Sequence, residues 1–343
     1  MTLPIIAITP GDAAGIGPEV LVKALADPAT HKVARPLVIA DADVVNEALR
    51  TVGIPLLANV IEKVEDARFT VGTLDILNTP TGVLPQIKVG KPSAAGGKAA
   101  AAWLERAVGM ALQGQAQAVV AGPVHGEALR LAGFKHRSQG EMAAAITGTR
   151  TFATLLISGP VRIGQVTSRL PLREVPAAID KVRVLSTIKL VRQALNDLGI
   201  AEPRIGVAGL NPDIGNPALC RECYEDILPA VQAARDLGFN VEGPLPAALL
   251  AARLVRGYYD AGVAMYDDQA QIAVMAHNPG LDDWGRGVAV AGVDVTIGLP
   301  IIAVSVGHGP AFDIAGQGIA NGRALVEAIG VAAEFAAHRL ARR

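Results

Sequence analysis

Aromatic residues make up 3% of this sequence and charged residues 18%, and there are only two cysteines. Lys and Arg (31) nearly cancel Asp and Glu (32), leaving a formal net charge of −1. Each shortage excludes something. Without a basic excess there is no electrostatic footprint for nucleic acid or for an anionic membrane surface. The two cysteines are spaced Cys220-Arg221-Glu222-Cys223, and no second pair or His-x-x-x-His run supplies the rest of a four-ligand zinc site. They read as the start of a helix, since Cys223 to Ala234 carries apolar residues at helical spacing; a redox pair is the sharper alternative. Long apolar runs are missing too. The most membrane-like stretch, Val288 to Val306, is broken by Gly292, Asp294, Gly298 and Pro300, and it reads as strand, turn, strand. Met1-Thr2-Leu3-Pro4 lacks the basic start and apolar run of a signal peptide, so a cytoplasmic location is expected.

Aliphatic residues are plentiful. Hydrophobic residues are 51% of 343. With so few aromatics, that predicts an alanine-rich aliphatic interior spread over one large or two moderate domains, or a broad oligomer interface. Buried-strand patterns at Pro4–Ile8, Leu37–Ala40, Ala118–Val120, Arg204–Ala208 and Gly262–Met265 are separated by helical patterns. The clearest helices are Val20–Ala26, a long one after Ser93 through Leu112, Val182–Leu198, and Ala324–Leu340 with its basic end. Phe152–Ile157 and Val161–Val166 read as neighbouring strands joined at Ser158-Gly159-Pro160, and Gly243-Pro244-Leu245-Pro246 as a rigid turn. Alternating strand and helix predicts an α/β fold with mostly parallel sheets covered on both faces.

Two glycine-bent loops stand out. Ser305 to Gly322 follows the apolar run Ile301–Val304 and contains His308-Gly309-Pro310-Ala311-Phe312-Asp313 and, further on, Asn321. Free amides and a lone carboxylate suit the adenosine end of a dinucleotide, although no GxGxxG fingerprint is present. The other loop, Gly11-Asp12-Ala13-Ala14-Gly15-Ile16-Gly17-Pro18-Glu19, links a strand to a helix, with Pro18 and Glu19 suited to the first helical turn.

These loops resemble the cofactor loop and the N-terminal GDxxGIGPE motif of the isocitrate and isopropylmalate dehydrogenase superfamily. Val166-Thr167-Ser168-Arg169-Leu170-Pro171-Leu172-Arg173, Gly209-Leu210-Asn211-Pro212, Gly243-Pro244-Leu245-Pro246, Ala264-Met265-Tyr266-Asp267-Asp268-Gln269 and Pro123-Val124-His125 narrow the likeness. They are similar to the 4-hydroxythreonine-4-phosphate dehydrogenase family over nearly the whole chain. The resemblance implies a two-domain isocitrate/isopropylmalate dehydrogenase-like fold with a cleft between the domains. Residues 1–126 and 298–343 would form the cofactor-side domain, and 127–297 an inserted domain with the substrate site and the interface of a homodimer. It implies NAD, bound by Gly11, Asp12, Gly15, His308, Gly309, Ala311, Asp313 and Asn321. Asp313 would take the adenosine ribose and Asn321 the adenine, and an acid at the ribose disfavours the 2′-phosphate of NADP.

The chain departs from that family at the substrate site. The family's three metal-binding histidines fall on Arg169, Asp213 and Asp267. A guanidinium has no lone pair for a metal, whereas Asp213 and Asp267 alone could hold Mg²⁺ or Mn²⁺ only weakly. The phosphate-contacting residues fall on Met275, Asp294, Ala303, Gly126 and the pair Gln139-Gly140 ahead of Glu141. A dianionic phosphate needs cationic or amide donors, so a non-phosphorylated substrate is expected. In this reading Arg169 stands in the metal's place between Asp213 and Asp267. Asp267, Asp268, His125 and His136 are candidate bases, and His136, Gln139, Glu141 and Asp294 line the substrate. The remaining histidines read as bystanders: His31 as exposed, His277 before the turn signal Asn278-Pro279-Gly280, and His338 as serving the end of the last helix. The leading expectation is an NAD-dependent dehydrogenase oxidising a secondary alcohol of a hydroxy acid, with or without decarboxylation. A diol dehydrogenase for aromatic-acid breakdown products and a non-catalytic dinucleotide-binding homologue are the alternatives. The Arg169 cluster would then be an ion-pair network in the last of these.

Overall fold

The computed structural model describes residues 2–278 and 292–342. They divide into two compact units, each described by itself. The first holds β1 (Ile5–Thr9), α1 (Gly17–Ala26), α2 (Pro28–Val33), β2 (Arg35–Ala40), α3 (Ala42–Val52), β3 (Leu57–Ile61), β4 (Thr73–Asn78), α4 (Ala94–Leu112), β5 (Ala118–Ala121), α5 (Gly126–Leu131) and α6 (Gln139–Ile146). The second holds β6 (Ala153–Ser158), β7 (Val161–Gln165), α7 (Lys181–Asp197), β8 (Ile205–Ala208), α8 (Leu228–Asp236), β9 (Val241–Leu245), α9 (Ala247–Val255), β10 (Ala261–Ala264), α10 (Asp267–His277) and, from Asp294 on, β11 (Val293–Ile297). The chain returns to the first unit for β12 (Ala303–Val306) and α11 (Arg323–Ala341).

In the first unit the strands run β3-β4-β2-β1-β5-β12, and all of these pairs are parallel. The central strands are mostly apolar because helices cover both faces; Ile6, Ala7 and Ile8 are fully buried. Trp103 on α4 is also buried, and its indole N–H donates to the carbonyl of Thr79 at 3.1 Å. Ser93 caps α4 by accepting from the Gly96 N–H at 3.0 Å. In the second unit the order is β11-β6-β7-β10-β8-β9. β6 and β7 form an antiparallel hairpin turning at Gly159-Pro160, whereas β7, β10, β8 and β9 pair in parallel. Among the described residues, no helix is long and apolar enough to cross a membrane.

Several sequence expectations are corrected. Gly243-Pro244-Leu245 belongs to the edge strand β9, not to a turn. Its register against β8 shifts between Gly206 and Ala208, which sets Gly243 and Pro244 together opposite Val207. An edge strand with such a bulge tolerates a proline that has no N–H to donate. The last strand of the first unit begins at Ala303 rather than Ile301. Cys220 and Cys223 are joined by a disulfide, and a π-helical turn, Cys223–Ile227, precedes α8. His31 is half-buried, with Nε2 3.0 Å from the Leu25 carbonyl. The Pro279-Gly280 signal and the start of the Val288 run lie outside the described residues.

Residues 127–150, expected in the inserted domain, group with the first unit. The reason is a close helix contact: Gly97 of α4 lies so near the Ala128 carbonyl of α5 that a Cβ would collide with it. Gly97→Ala is therefore expected to cost about 1–3 kcal/mol, read as a lower urea midpoint. Gly109→Ala on the same helix, where a Cβ meets nothing, is expected to be neutral or stabilising by up to about 1 kcal/mol.

Candidate functional site

The second unit gathers its polar residues where strands β7, β8 and β10 end. Loops at the carboxyl ends of parallel strands are the usual ligand-binding edge of an α/β sheet. After β7, the Val166 N–H donates to the Ala264 carbonyl, and the Thr167 N–H and hydroxyl both donate to the Met265 carbonyl. That zipper brings Ser168 and Arg169 over the start of α10. There Asp267 accepts from the Ser168 hydroxyl at 3.3 Å and from the Arg169 N–H at 2.5 Å. Arg169 is held with φ +54°, a conformation non-glycine residues adopt only when surroundings impose it. Gln269, buried within the first turn of α10, accepts from the Met265 N–H and donates to the Gly209 and Leu210 carbonyls. The loop that carries Asp213 is thereby tied to α10.

Asp294, half-buried on β11, completes this group. Burial pushes its carboxyl up to about 6; the Arg169 guanidinium draws it down again and the Asp267 charge raises it. Of the two acids expected to flank Arg169, Asp267 meets its main chain. Asp294 lies within the field of both. Asp213 and Asp268 lie on the neighbouring loop and the first helical turn, Asp213 exposed. Sequence reading placed Asp294 only as a substrate contact, because the charges that tune it are distant in the chain. Asp267 was read as a candidate base, yet both of its oxygens accept from the Ser168-Arg169 turn.

Arg169 has no lone pair to give, and among the described residues no cluster of three or more His, Cys, Asp or Glu is arranged to hold an ion.

The first unit brings the two glycine loops together. Ile16 N–H donates to the Pro310 carbonyl at 2.8 Å, and a Cβ on Gly15 would collide with Pro310. Glycine is needed there for approach, not for flexibility. Gly316 N–H donates to Glu19 at 2.6 Å, and Lys23 donates to the Gly318 and Ala320 carbonyls. The loop is thus fastened along its inner side, while Gly309, Asp313 and Asn321 are exposed and Ala311 is half-buried at φ +41°. The Asn321 oxygen accepts from the Arg323 N–H. Burial lowers the pKa of His308, partly countered by its contact with the Gly309 carbonyl. An exposed Asp313 carboxylate on a fastened loop fits the ribose hydroxyls of a dinucleotide.

A second polar group in this unit surrounds the turn after β5. Asp12 N–H donates to the Pro123 carbonyl, next to Gly11, and Gln139 donates to the Gly122 carbonyl at 2.7 Å. Asp12 is fully buried, which raises its pKa; the Ala14 N–H and the His125 charge oppose the rise. Asp12 Oδ2, Gln139 Oε1 and His125 Nδ1 are buried with no protein partner. The His125 ring meets Phe312 edge-on at 5.3 Å. Glu141 serves the start of α6. Ser138 caps the helix by accepting from the Glu141 N–H, and the Glu141 carboxylate accepts from the Arg137 N–H just before the cap. The Ser-x-x-Glu spacing was the signal for it. His136 is half-buried in the preceding loop.

A model of the family described as pyridoxal phosphate biosynthetic protein PdxA matches residues 32–332. The chain is 43% identical over 344 residues to the D-threonate 4-phosphate dehydrogenase of Cupriavidus necator, an alignment covering 98% of each chain. It is similar to the crystal structure of a 4-hydroxythreonine-4-phosphate dehydrogenase from Burkholderia phymatum, with 38% identity and a TM-score of 0.81 over 98% of this chain and 99% of that one. A terephthalate 1,2-cis-dihydrodiol dehydrogenase from Burkholderia xenovorans matches at 28% identity with a TM-score of 0.63, over 97% and 98%.

Asp294 makes stability depend on pH. Its folded pKa of about 6 lies above the ordinary 3.8, so between those values the folded chain keeps a proton that the unfolded chain has lost. This contribution to stability is full below about pH 4 and is lost as pH rises to 6. Asp294→Asn should flatten that part of a denaturation-midpoint profile, whatever constant packing cost it adds. An unchanged slope would mean that Asp294 is ionised in the fold throughout this range.

Proposed function

The chain belongs to the pyridoxal phosphate biosynthetic protein PdxA family, and on that premise we propose that it oxidises the secondary alcohol of a non-phosphorylated hydroxy acid with NAD. Like the relatives it matches, it is a dehydrogenase acting on a CH–OH group. The observation that carries the finer reading is the grouping of Arg169, Asp267 and Asp294 at one edge of the second unit. A permanent guanidinium there supplies the positive charge that a metal would otherwise bring. It can pair with a substrate carboxylate or draw on the hydroxyl oxygen. Asp267 fixes the turn that presents it. Asp294, with a carboxyl near 6, is ionised at neutral pH and basic enough to take the alcohol proton as the hydride leaves.

The substrate reading follows from charge. The names of the Cupriavidus necator and Burkholderia phymatum proteins specify phosphorylated substrates for those two. In this chain the positions expected to meet phosphate include Met275, whose side chain is apolar and part-exposed, Ala303, buried in β12, and Asp294 itself. A dianion set beside Asp294 meets repulsion, whereas a hydroxy acid with a single carboxylate is matched by Arg169. Bound NAD supplies the hydride acceptor. Asp313 would hold its adenosine ribose, and the exposed backbone of the 309–321 loop would take its adenine edge and phosphates. Asp12, Gln139 and His125, with their unpartnered buried atoms, would order polar ligand groups against the first unit. The reading includes a homodimer.

The test is NADH formation across D-threonate, D-threonate 4-phosphate, other hydroxy acids and cis-dihydrodiols of aromatic acids. Turnover should be no better with the phosphate ester than with the free acid, and chelators should leave it unchanged. Arg169→Ala should lower kcat/KM roughly 100- to 1,000-fold, and Asp294→Asn should abolish the rise in activity with pH near 6. A strict phosphate requirement, or a stoichiometric metal needed for activity, overturns this account. Turnover of dihydrodiols alone favours the diol dehydrogenase reading, which the structural match to the Burkholderia xenovorans enzyme keeps in view.

A further inference from the structure

We propose that Asn321 is a self-modification site. Its side-chain amide is lost by attack of the Gly322 main-chain nitrogen, and the loss weakens the glycine loop's hold on a dinucleotide. Of the chain's nine asparagines, only Asn321 is followed by glycine. Glycine has no Cβ to keep its nitrogen from the neighbouring side chain. Asn321 is exposed, so the water that completes the reaction reaches it.

The surroundings favour this attack. The Arg323 N–H donates to Asn321 Oδ1 at 2.8 Å. That bond draws electron density from Cγ, and it is aimed at the oxygen on which negative charge develops as Gly322 N adds. The pair stands at the start of α11, where the helix dipole favours such charge. Among the described residues, the Gly322 N–H donates to no backbone carbonyl that it would first have to give up. Packing fixes glycine at this position: a Cβ on Gly322 would lie 2.9 Å from the Cβ of Lys23 and 3.1 Å from the Ala24 nitrogen. The reactive pair is therefore built into the contact between α11 and α1.

The step needs only water. Gly322 N gives up its proton and bonds to Cγ, the Cγ–Nδ2 bond breaks, and Nδ2 leaves as ammonia. Water then opens the cyclic imide. Opening at Cγ leaves aspartate in an ordinary main chain; opening at the main-chain carbonyl leaves isoaspartate, with one more carbon in the chain before Gly322. The aspartate form still accepts from the Arg323 N–H and suits a helix start, so the fold persists. It has lost the two amide N–H donors and gained a charge of the same sign as a pyrophosphate. On the reading that Asn321 meets the adenine, whose edge is rich in acceptor nitrogens, the product holds a dinucleotide less well. The isoaspartate form also shifts Gly322 against Lys23, whose amine holds the Gly318 and Ala320 carbonyls of the loop.

The experiment holds the full-length protein at mildly alkaline pH beside a synthetic peptide of residues 316–326, and follows the Asn321 amide in both by mass spectrometry of the digested samples. Asn321 should convert ahead of every other asparagine, to a mixture of aspartate and isoaspartate. The converted protein, separated by anion exchange, should bind NAD roughly tenfold or more weakly in calorimetry. Asn321→Asp should bind it as weakly, with a denaturation midpoint no lower than that of the unaltered chain. An Asn321 amide that survives in the protein after the peptide has converted overturns the proposal. Conversion that leaves NAD affinity unchanged overturns the coupling to the loop's ligand. Absence of NAD binding by the unconverted protein strikes the cofactor reading, and the coupling with it, while the mass measurement still decides the modification.

Discussion

The carboxylate of Asp267 is the tie on which the polar edge of the second unit depends. It stands on the first turn of α10, where the helix dipole favours negative charge, and accepts from both the Ser168 hydroxyl and the Arg169 N–H. Those two bonds close a turn that leaves Arg169 at positive φ. Without the acceptor, an arginine would relax to a commoner backbone conformation and its guanidinium would no longer be aimed by the scaffold. One helix end thus does two jobs. It neutralises itself with an acid, and it uses that acid to set the direction of a cation.

The same economy appears in the first unit. Glu19 stands on the first turn of α1, where a carboxylate is favoured, and it reaches Gly316 in a loop that is 297 residues away. Lys23 on the same helix grips the loop at Gly318 and Ala320. A glycine-rich loop is costly to order, because each glycine loses much backbone freedom. Fastening it at three points along one helix, and at Pro310 through Ile16, leaves its outer surface fixed without filling it with side chains. A loop held that way can offer amides and a lone acid to a ligand without first having to be ordered by it.

Much of the architecture was legible from the residues. Strands buried on both faces are short apolar runs, and β1, β2, β5, β8 and β10 were found that way to within about a residue or two of their ends. Ser93 announced the start of α4. Other elements hid for physical reasons. β3 is an edge strand, only partly buried and without clean alternation. α10 opens on two aspartates, and no helix was read there. β9 carries a Gly-Pro that normally marks a turn, and only the bulge against β8 makes it a strand. The long glycine loop was recognisable because its geometry is local. The Arg169 group was only half recognisable, since Asp294 joins it through tertiary packing that no spacing in the sequence encodes.

Asp294 also explains why such a group persists in a half-buried place. An isolated carboxylate there would stay protonated well into the neutral range, and an isolated guanidinium would carry its own desolvation cost. Together they offset each other, but incompletely: burial outweighs the attraction of Arg169, and the nearby Asp267 charge adds repulsion, so the carboxyl ends near 6. A fully compensated ion pair would hold Asp294 at or below its ordinary value and leave it too weak a base for an alcohol proton. A fully buried acid would be protonated at neutral pH and unable to accept one. Burial does most of the raising, and the Arg169 and Asp267 charges act in opposite directions on it. A divalent ion in place of Arg169 would pull Asp294 far lower and leave it a poorer base. A guanidinium at position 169 is therefore coherent with an aspartate, rather than a neutral amide, at position 294.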